Sequence, residues 1–211
     1  MALNKYLDHD DESMHCVNEY TRANPDDKCT LMYEEILKLV PDAKGECVLD
    51  VGCAGGYYTS RLDELGKSVI GISINQKDID HLNTLGLSGR LCDMHDLMFK
   101  DNTIDGIFCS HTLEHSTRPY EALSEFRRVL RPDGWLLLVM PEAAGRIVGG
   151  WRRSVDFGHH YFFPTAEMLM DMLVNIGFKD VWFTRFELRD PNASVSVLYY
   201  NHIWLAKKCV S

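Results

Sequence analysis

The order in which hydrophobic patterns follow one another limits the fold of this chain more than any single motif does. From Cys29 to Val40 the residues Leu31, Met32, Ile36, Leu37, Leu39 and Val40 recur at helical spacing, and Pro41 follows. After that, short apolar runs alternate with amphipathic stretches. The runs predict strands at Cys47–Val51, Ser68–Ser73, Arg90–Cys92, Ile104–Ser110 and Trp135–Met140. The stretches predict helices after Gly56 and over Gln76–Leu85, Tyr120–Leu130 and Ala166–Ile176, the last stopped by Gly177. Two final strands are expected at Lys179–Glu187 and Ser194–Lys207. Such alternation gives an α/β fold with an open, mainly parallel sheet and helices on both faces. In sheets of this kind a ligand sits beyond the carboxyl ends of the strands, near the point where strand order reverses.

The first strand and its turn, VLDVGCAGGYYT at residues 48–59, are therefore the first place to look for a ligand. A nucleotide triphosphate loop needs G-x-x-x-x-G-K-[ST], and Gly52–Tyr57 offers no lysine. A dinucleotide loop needs G-x-G-x-x-G, which the spacing Gly52-Cys53-Ala54-Gly55-Gly56 fits badly. A tight strand-to-helix turn with no ligand is the third reading, and the loop alone leaves it open.

Bulk properties narrow the function classes. With 211 residues, a single domain is expected, with residues 1–45 as an N-terminal helical cap and 141–163 as a lid over the substrate. The formal net charge is −9 and no basic stripe is visible, which disfavours bulk nucleic acid as a partner. No apolar run is long enough to span a bilayer, and the polar start of the sequence is not a secretory leader. Seven cysteines without a C-x-x-C pair suit free thiols in a reducing compartment, so the cytoplasm is the expected location and no metal site is expected. Oligomeric state is not legible.

Five further segments give the turn a context. Val48–Gly56 resembles the first motif of the class I S-adenosylmethionine-dependent methyltransferases, a superfamily with a Rossmann-like sheet that is mostly parallel and has an antiparallel C-terminal strand. Gly71-Ile-Ser-Ile-Asn-Gln76 resembles the end of that superfamily's second strand, Cys92-Asp93-Met94 its third, and Phe99–Ser110 its fourth. Leu113-Glu114-His115 and Arg128–Gly134 resemble its small-molecule branch, the type 11 methyltransferase domain. The resemblance covers roughly residues 30–180 and implies S-adenosylmethionine as cofactor and a small-molecule methyl acceptor. It implies cofactor contacts from Asp50, Gly52, Cys53, Ala54, Gly56, Ser73, Ile74, Gln76, Asp93, Met94 and Ser110.

Elementary chemistry agrees with that ligand. Glycines let the backbone approach its methionine end without side chains intervening. The following helix N-terminus favours a carboxylate. Asp50 can offset positive charge, and Asp93 can accept from the adenine amino group with Met94 against the ring. Two departures stand out. Ala54 replaces a central glycine, which is tolerable where φ stays negative. Ser73 replaces the acid that grips the ribose hydroxyls, so Asn75 or Gln76 is expected to take over, as the string Ile-Ser-Ile-Asn-Gln is similar to lipid-modifying branches of the superfamily.

For the acceptor, His111 at the end of the fourth strand and His160 in the 141–163 segment are the candidate catalytic residues. His115 reads as a loop residue. Neither a D/N-P-P-Y-like motif nor a Pro-Cys pair is present, which lowers the nucleic-acid reading further. Arg146, Arg152 and Arg153 are available to a carboxylate or phosphate. The rival from another class is a protein that binds the cofactor without turnover.

Overall fold

The computed structural model describes residues 28–141, 161–189 and 198–210. The chain divides into two compact units, residues 1–98 and 99–211. Most of the expected lid at 141–163, with Glu142, Arg146, Trp151, Arg152, Arg153, His159 and His160, lies outside the described residues, as do Tyr6 and Tyr20.

The first unit begins with helix α1 (Lys28–Leu37). Strand β1 (Cys47–Val51) follows, then α2 (Tyr57–Glu64), β2 (Ser68–Ser73), α3 (Gln76–Thr84) and β3 (Ser88–Leu91). The strands lie in the order β3-β2-β1, all parallel, with Leu49 opposite Ile70 and Ile72 opposite Arg90. Val48, Leu49 and Val51 are fully buried, which explains the nearly unbroken apolar run of β1. Close packing of α3 on β2 depends on Gly71. A Cβ there would stand 2.4 Å from Leu82 Cδ2 and 2.9 Å from Cys53 Cβ.

In the second unit, β4 (Ile104–Ser110) leads through a 3-10 turn at Leu113–His115 into α4 (Pro119–Val129). Then come β5 (Leu130–Pro141), α5 (Ala166–Ile176), β6 (Phe178–Arg189) and β7 (Leu198–Lys208). Their strands lie in the order β4-β5-β7-β6. β4 and β5 are parallel, whereas β7 runs antiparallel to both β5 and β6, so the antiparallel C-terminal strand is present as expected. Gly106 lies opposite Trp135 and leaves room for its indole, since a Cβ would come within 2.1 Å of the ring. α5 is closed at both ends by its own sequence. Thr165 Oγ1 accepts from Met168 N, and Gly177 turns out of the helix at φ 106°.

The pattern located every element but the 3-10 turn, and the differences are at ends. β5 starts at Leu130 rather than Trp135, because Leu130 already pairs with Ile104, and Arg131–Gly134 form an irregularity before Trp135 pairs with Gly106, with Asp133 at φ 61°. No helix among the described residues is long and apolar enough to cross a membrane.

Candidate functional site

The turn after β1 is built by left-handed backbone. Gly52, Ala54 and Gly56 have φ of 78°, 41° and 80°. The condition under which Ala54 is tolerable, a negative φ, is not met: it bears a left-handed conformation that costs an alanine about 1 kcal/mol. Gly52 and Cys53 donate their N–H groups to Ile72 O at 2.9 and 3.1 Å, and Gly56 N donates to Cys53 O at 2.8 Å. These bonds fix the turn against β2. The N–H groups of Ala54 and Gly55 have no partner among the described residues.

Asp50 sits behind this turn rather than on its open side. It is buried, and its Oδ2 accepts from Thr59 Oγ1 at 2.6 Å. The carboxylate also accepts the Thr59 backbone N–H. Since Gly56 at the N-cap has no side chain to give, Asp50 caps α2 from the neighbouring strand. Burial pushes its carboxyl up to about 6, against the opposing pull of the two Thr59 bonds. The Cys53 thiol is raised by burial first and by the Asp50 and Asp78 charges next, which keeps it protonated and inert.

At the end of β2, Ser73 Oγ donates to Asp78 Oδ2 at 2.6 Å and accepts from Asn75 N at 3.1 Å. Asn75 Oδ1 caps α3 by accepting from Lys77 N. Gln76 Nε2 donates to Asp80 Oδ1 at 2.8 Å. Asn75 Oδ1 and Gln76 Nε2 are thus both engaged locally, while a carboxylate does lie beside Ser73. Asp78 was missed by sequence reasoning, although Asn75-Gln-Lys-Asp78 has the spacing of a capping box. Here the acid reaches Ser73 instead of the cap N–H, and the serine relays the bond. Burial raises the Asp78 carboxyl, and the Ser73 bond works against that. Ile74 is exposed beyond the strand end.

After β3, Asp93 Oδ1 accepts from His95 N at 2.9 Å and stands 2.6 Å from His95 Nδ1. The Asp93 side chain remains 42% exposed, and Met94 beside it is half-buried. The first unit thus brings together Gly52, Cys53, Ala54, Gly56, Ser73, Ile74, Gln76, Asp93 and Met94 at or just past the carboxyl ends of its three strands.

Ser110 and His111 end β4 in the second unit. His111 N donates to Val139 O at 2.9 Å, and its φ is 51°. A left-handed histidine is an uncommon conformation that the surroundings must hold. Ser110 Oγ is buried without a hydrogen-bond partner among the described residues. His160 lies outside the described residues. Among those residues, no group of three or more His, Cys, Asp and Glu side chains could hold a metal ion.

Comparison with known proteins agrees with this geometry. Residues 49–138 match a family model described as a methyltransferase domain. The biotin biosynthesis bifunctional protein BioHC of Teredinibacter turnerae is 27% identical over 176 residues, which cover 75% of this chain and 30% of that protein. A tRNA U34 carboxymethyltransferase of Campylobacter hominis is 28% identical over 173 residues, 77% of this chain and 61% of that protein. The chain thus spans less than two thirds of the length of these curated relatives. A SAM dependent methyltransferase from Archaeoglobus fulgidus, 21% identical, superposes with a TM-score of 0.74 over 94% of this chain and 100% of that one. In its matched residues and in its fold, this chain is similar to the class I S-adenosylmethionine-dependent methyltransferases.

Proposed function

We propose that the chain is an enzyme that transfers a methyl group from S-adenosylmethionine to a small-molecule acceptor. The observation that carries the reading is the turn at Gly52–Gly56, with its left-handed backbone and the uncommitted N–H groups of Ala54 and Gly55. Two adjacent free amides at the start of a helix suit a carboxylate. The residues fit the remainder of the cofactor as well. Ser73, whose hydroxyl proton is directed to Asp78 and which accepts from Asn75 N, has one lone pair left for a ribose hydroxyl. Asp93 offers a carboxylate to an amino group, and Ile74 and Met94 offer apolar surface to a ring. Asp50 has the role of holding the turn.

When bound, S-adenosylmethionine supplies an electrophilic methyl carried on a sulfonium. The chain's own part is to fix the two partners in line and keep water out. His111 serves as proton acceptor when the group to be methylated is a hydroxyl or a protonated amine. The acidic balance of the chain, −9, supports a small acceptor over a polyanion.

Calorimetry with S-adenosylmethionine, S-adenosylhomocysteine and NADH tests the cofactor. A screen for S-adenosylhomocysteine release, with one panel of small hydroxy, amino and carboxy compounds and one of tRNA, tests the acceptor. Release with a small compound is expected. Release with tRNA alone would overturn the small-molecule assignment. Binding without release in either panel would favour the cofactor-binding protein that does not turn over.

A further inference from the structure

The end of β4 holds a buried acid that neither the fold nor the cofactor reading uses. Glu114 is fully buried, and neither carboxylate oxygen has a hydrogen-bond partner among the described residues. The titratable side chain in its reach among the described residues is His111, whose Nδ1 stands 3.5 Å from Glu114 Oε1. Two independent features hold the pair in place. The bend that starts at the left-handed His111 and runs into the 3-10 turn at Leu113–His115 carries the two side chains to one side. The carbonyl of Glu114 accepts the N–H groups of Tyr161 and Phe162 at 2.7 and 3.0 Å, while His111 N is bonded to Val139 O. The ring of His111 is 38% exposed, so one edge meets the acid and another remains accessible. Ser110 Oγ, also buried and unpartnered among the described residues, is a second unspent polar atom at this strand end. A native fold tolerates such groups where a ligand or a chemical step needs them.

We propose that Glu114 is a positioning residue that holds the His111 imidazole with its proton on Nδ1 and its Nε2 lone pair bare. The inference rests on the reading of His111 as proton acceptor. A neutral imidazole has one donor and one acceptor nitrogen, and a carboxylate at Nδ1 selects the tautomer that donates there. The proton that the methyl acceptor gives up goes to Nε2, and the Glu114 carboxyl beside Nδ1 faces the imidazolium formed. An acid placed in this way works best when nothing else shares its oxygens. That accounts for the absence, among the described residues, of the hydrogen bonds that Asp50 enjoys.

The test is the ring-nitrogen NMR spectrum of the whole chain, with isotope-labelled histidine, at about pH 8, where free imidazole is neutral. His111→Asn assigns the signals, since asparagine tolerates a left-handed φ. In the wild-type chain His111 should carry its proton on Nδ1. Glu114→Leu should transfer it to Nε2, the tautomer that free imidazole prefers. A wild-type His111 protonated on Nε2 would overturn the proposal, even if the leucine variant failed to fold. So would a tautomer unchanged by that substitution. With an acceptor from the screen, Glu114→Gln should lower kcat at least about tenfold with S-adenosylhomocysteine affinity unchanged. It should add nothing to the loss in His111→Asn, and multiplying losses would overturn the coupling. Failure to bind S-adenosylmethionine at all would count against the methyltransferase reading and leave the tautomer result standing.

Discussion

Each unit contains a buried acid at the end of a strand, and the two are treated in opposite ways. Asp50 closes β1 with both a hydroxyl and a backbone N–H from Thr59 directed at it. Glu114 follows β4 and faces His111 at 3.5 Å with no hydrogen bond among the described residues. Both are next to left-handed residues, Ala54 and His111, so local strain does not separate them. Hydrogen bonding does. A buried carboxylate with its acceptor capacity filled is a structural part, because its removal orphans the donors. One left unfilled contributes little to the fold and is available for chemistry. The comparison therefore says that changes at Asp50 should register in stability, and changes at Glu114 in turnover.

The largest expected effect is in the pH dependence of stability. Because the Asp50 carboxyl is raised to about 6, the folded chain keeps a proton that the unfolded chain releases at lower pH. The folded state thus binds more protons between about pH 4 and 6, and stability falls as pH rises through that window. Asp50→Asn removes this component. Urea titrations of the two chains should diverge by on the order of 3 kcal/mol between the ends of the window, the variant gaining relative to wild type as pH rises. Parallel curves would mean that Asp50 is not held as described.

Thr59→Val comes next. It deletes the hydroxyl that meets the buried Asp50 carboxylate, and a loss of about 2 kcal/mol is expected in the same assay at neutral pH. Glu114→Leu should do the reverse and leave stability unchanged or raise it by about 1 kcal/mol, since a buried carboxyl with no hydrogen-bond partner among the described residues gives way to apolar volume. A loss as large as that of Thr59→Val would put Glu114 in the same class as Asp50 and erase the contrast. The smallest effect belongs to Ala54→Gly. Relief of the left-handed alanine, offset in part by the extra freedom of glycine in the unfolded chain, should stabilise by about 0.5 kcal/mol.

Hydrophobic period made the fold legible. The apolar run at Cys47–Val51, the alternation that follows and Gly177 each stand where the pattern expected them, because burial and the left-handed cap leave local marks. The bend after β1 was legible for the same reason, as Gly52 and Gly56 report left-handed backbone directly. Side-chain pairings across elements were not. That Asp50 meets Thr59 depends on the angle at which α2 leaves β1, and that Ser73 meets Asp78 depends on the first turn of α3. The Ala54 conformation was not legible, because a left-handed alanine contradicts its own propensity and is imposed by the bonds from Gly52 and Cys53 to Ile72. Nothing in the letters Leu-Glu-His reveals that Glu114 is buried.

Isothermal titration of the whole chain with S-adenosylhomocysteine tests most directly whether the bend at residues 52–56 receives the cofactor. The account predicts one class of site at one equivalent, saturating below about 1 mM, with S-adenosylmethionine competing and NADH silent. Saturation by NADH, or no heat from either adenosyl compound at that concentration, would contradict it.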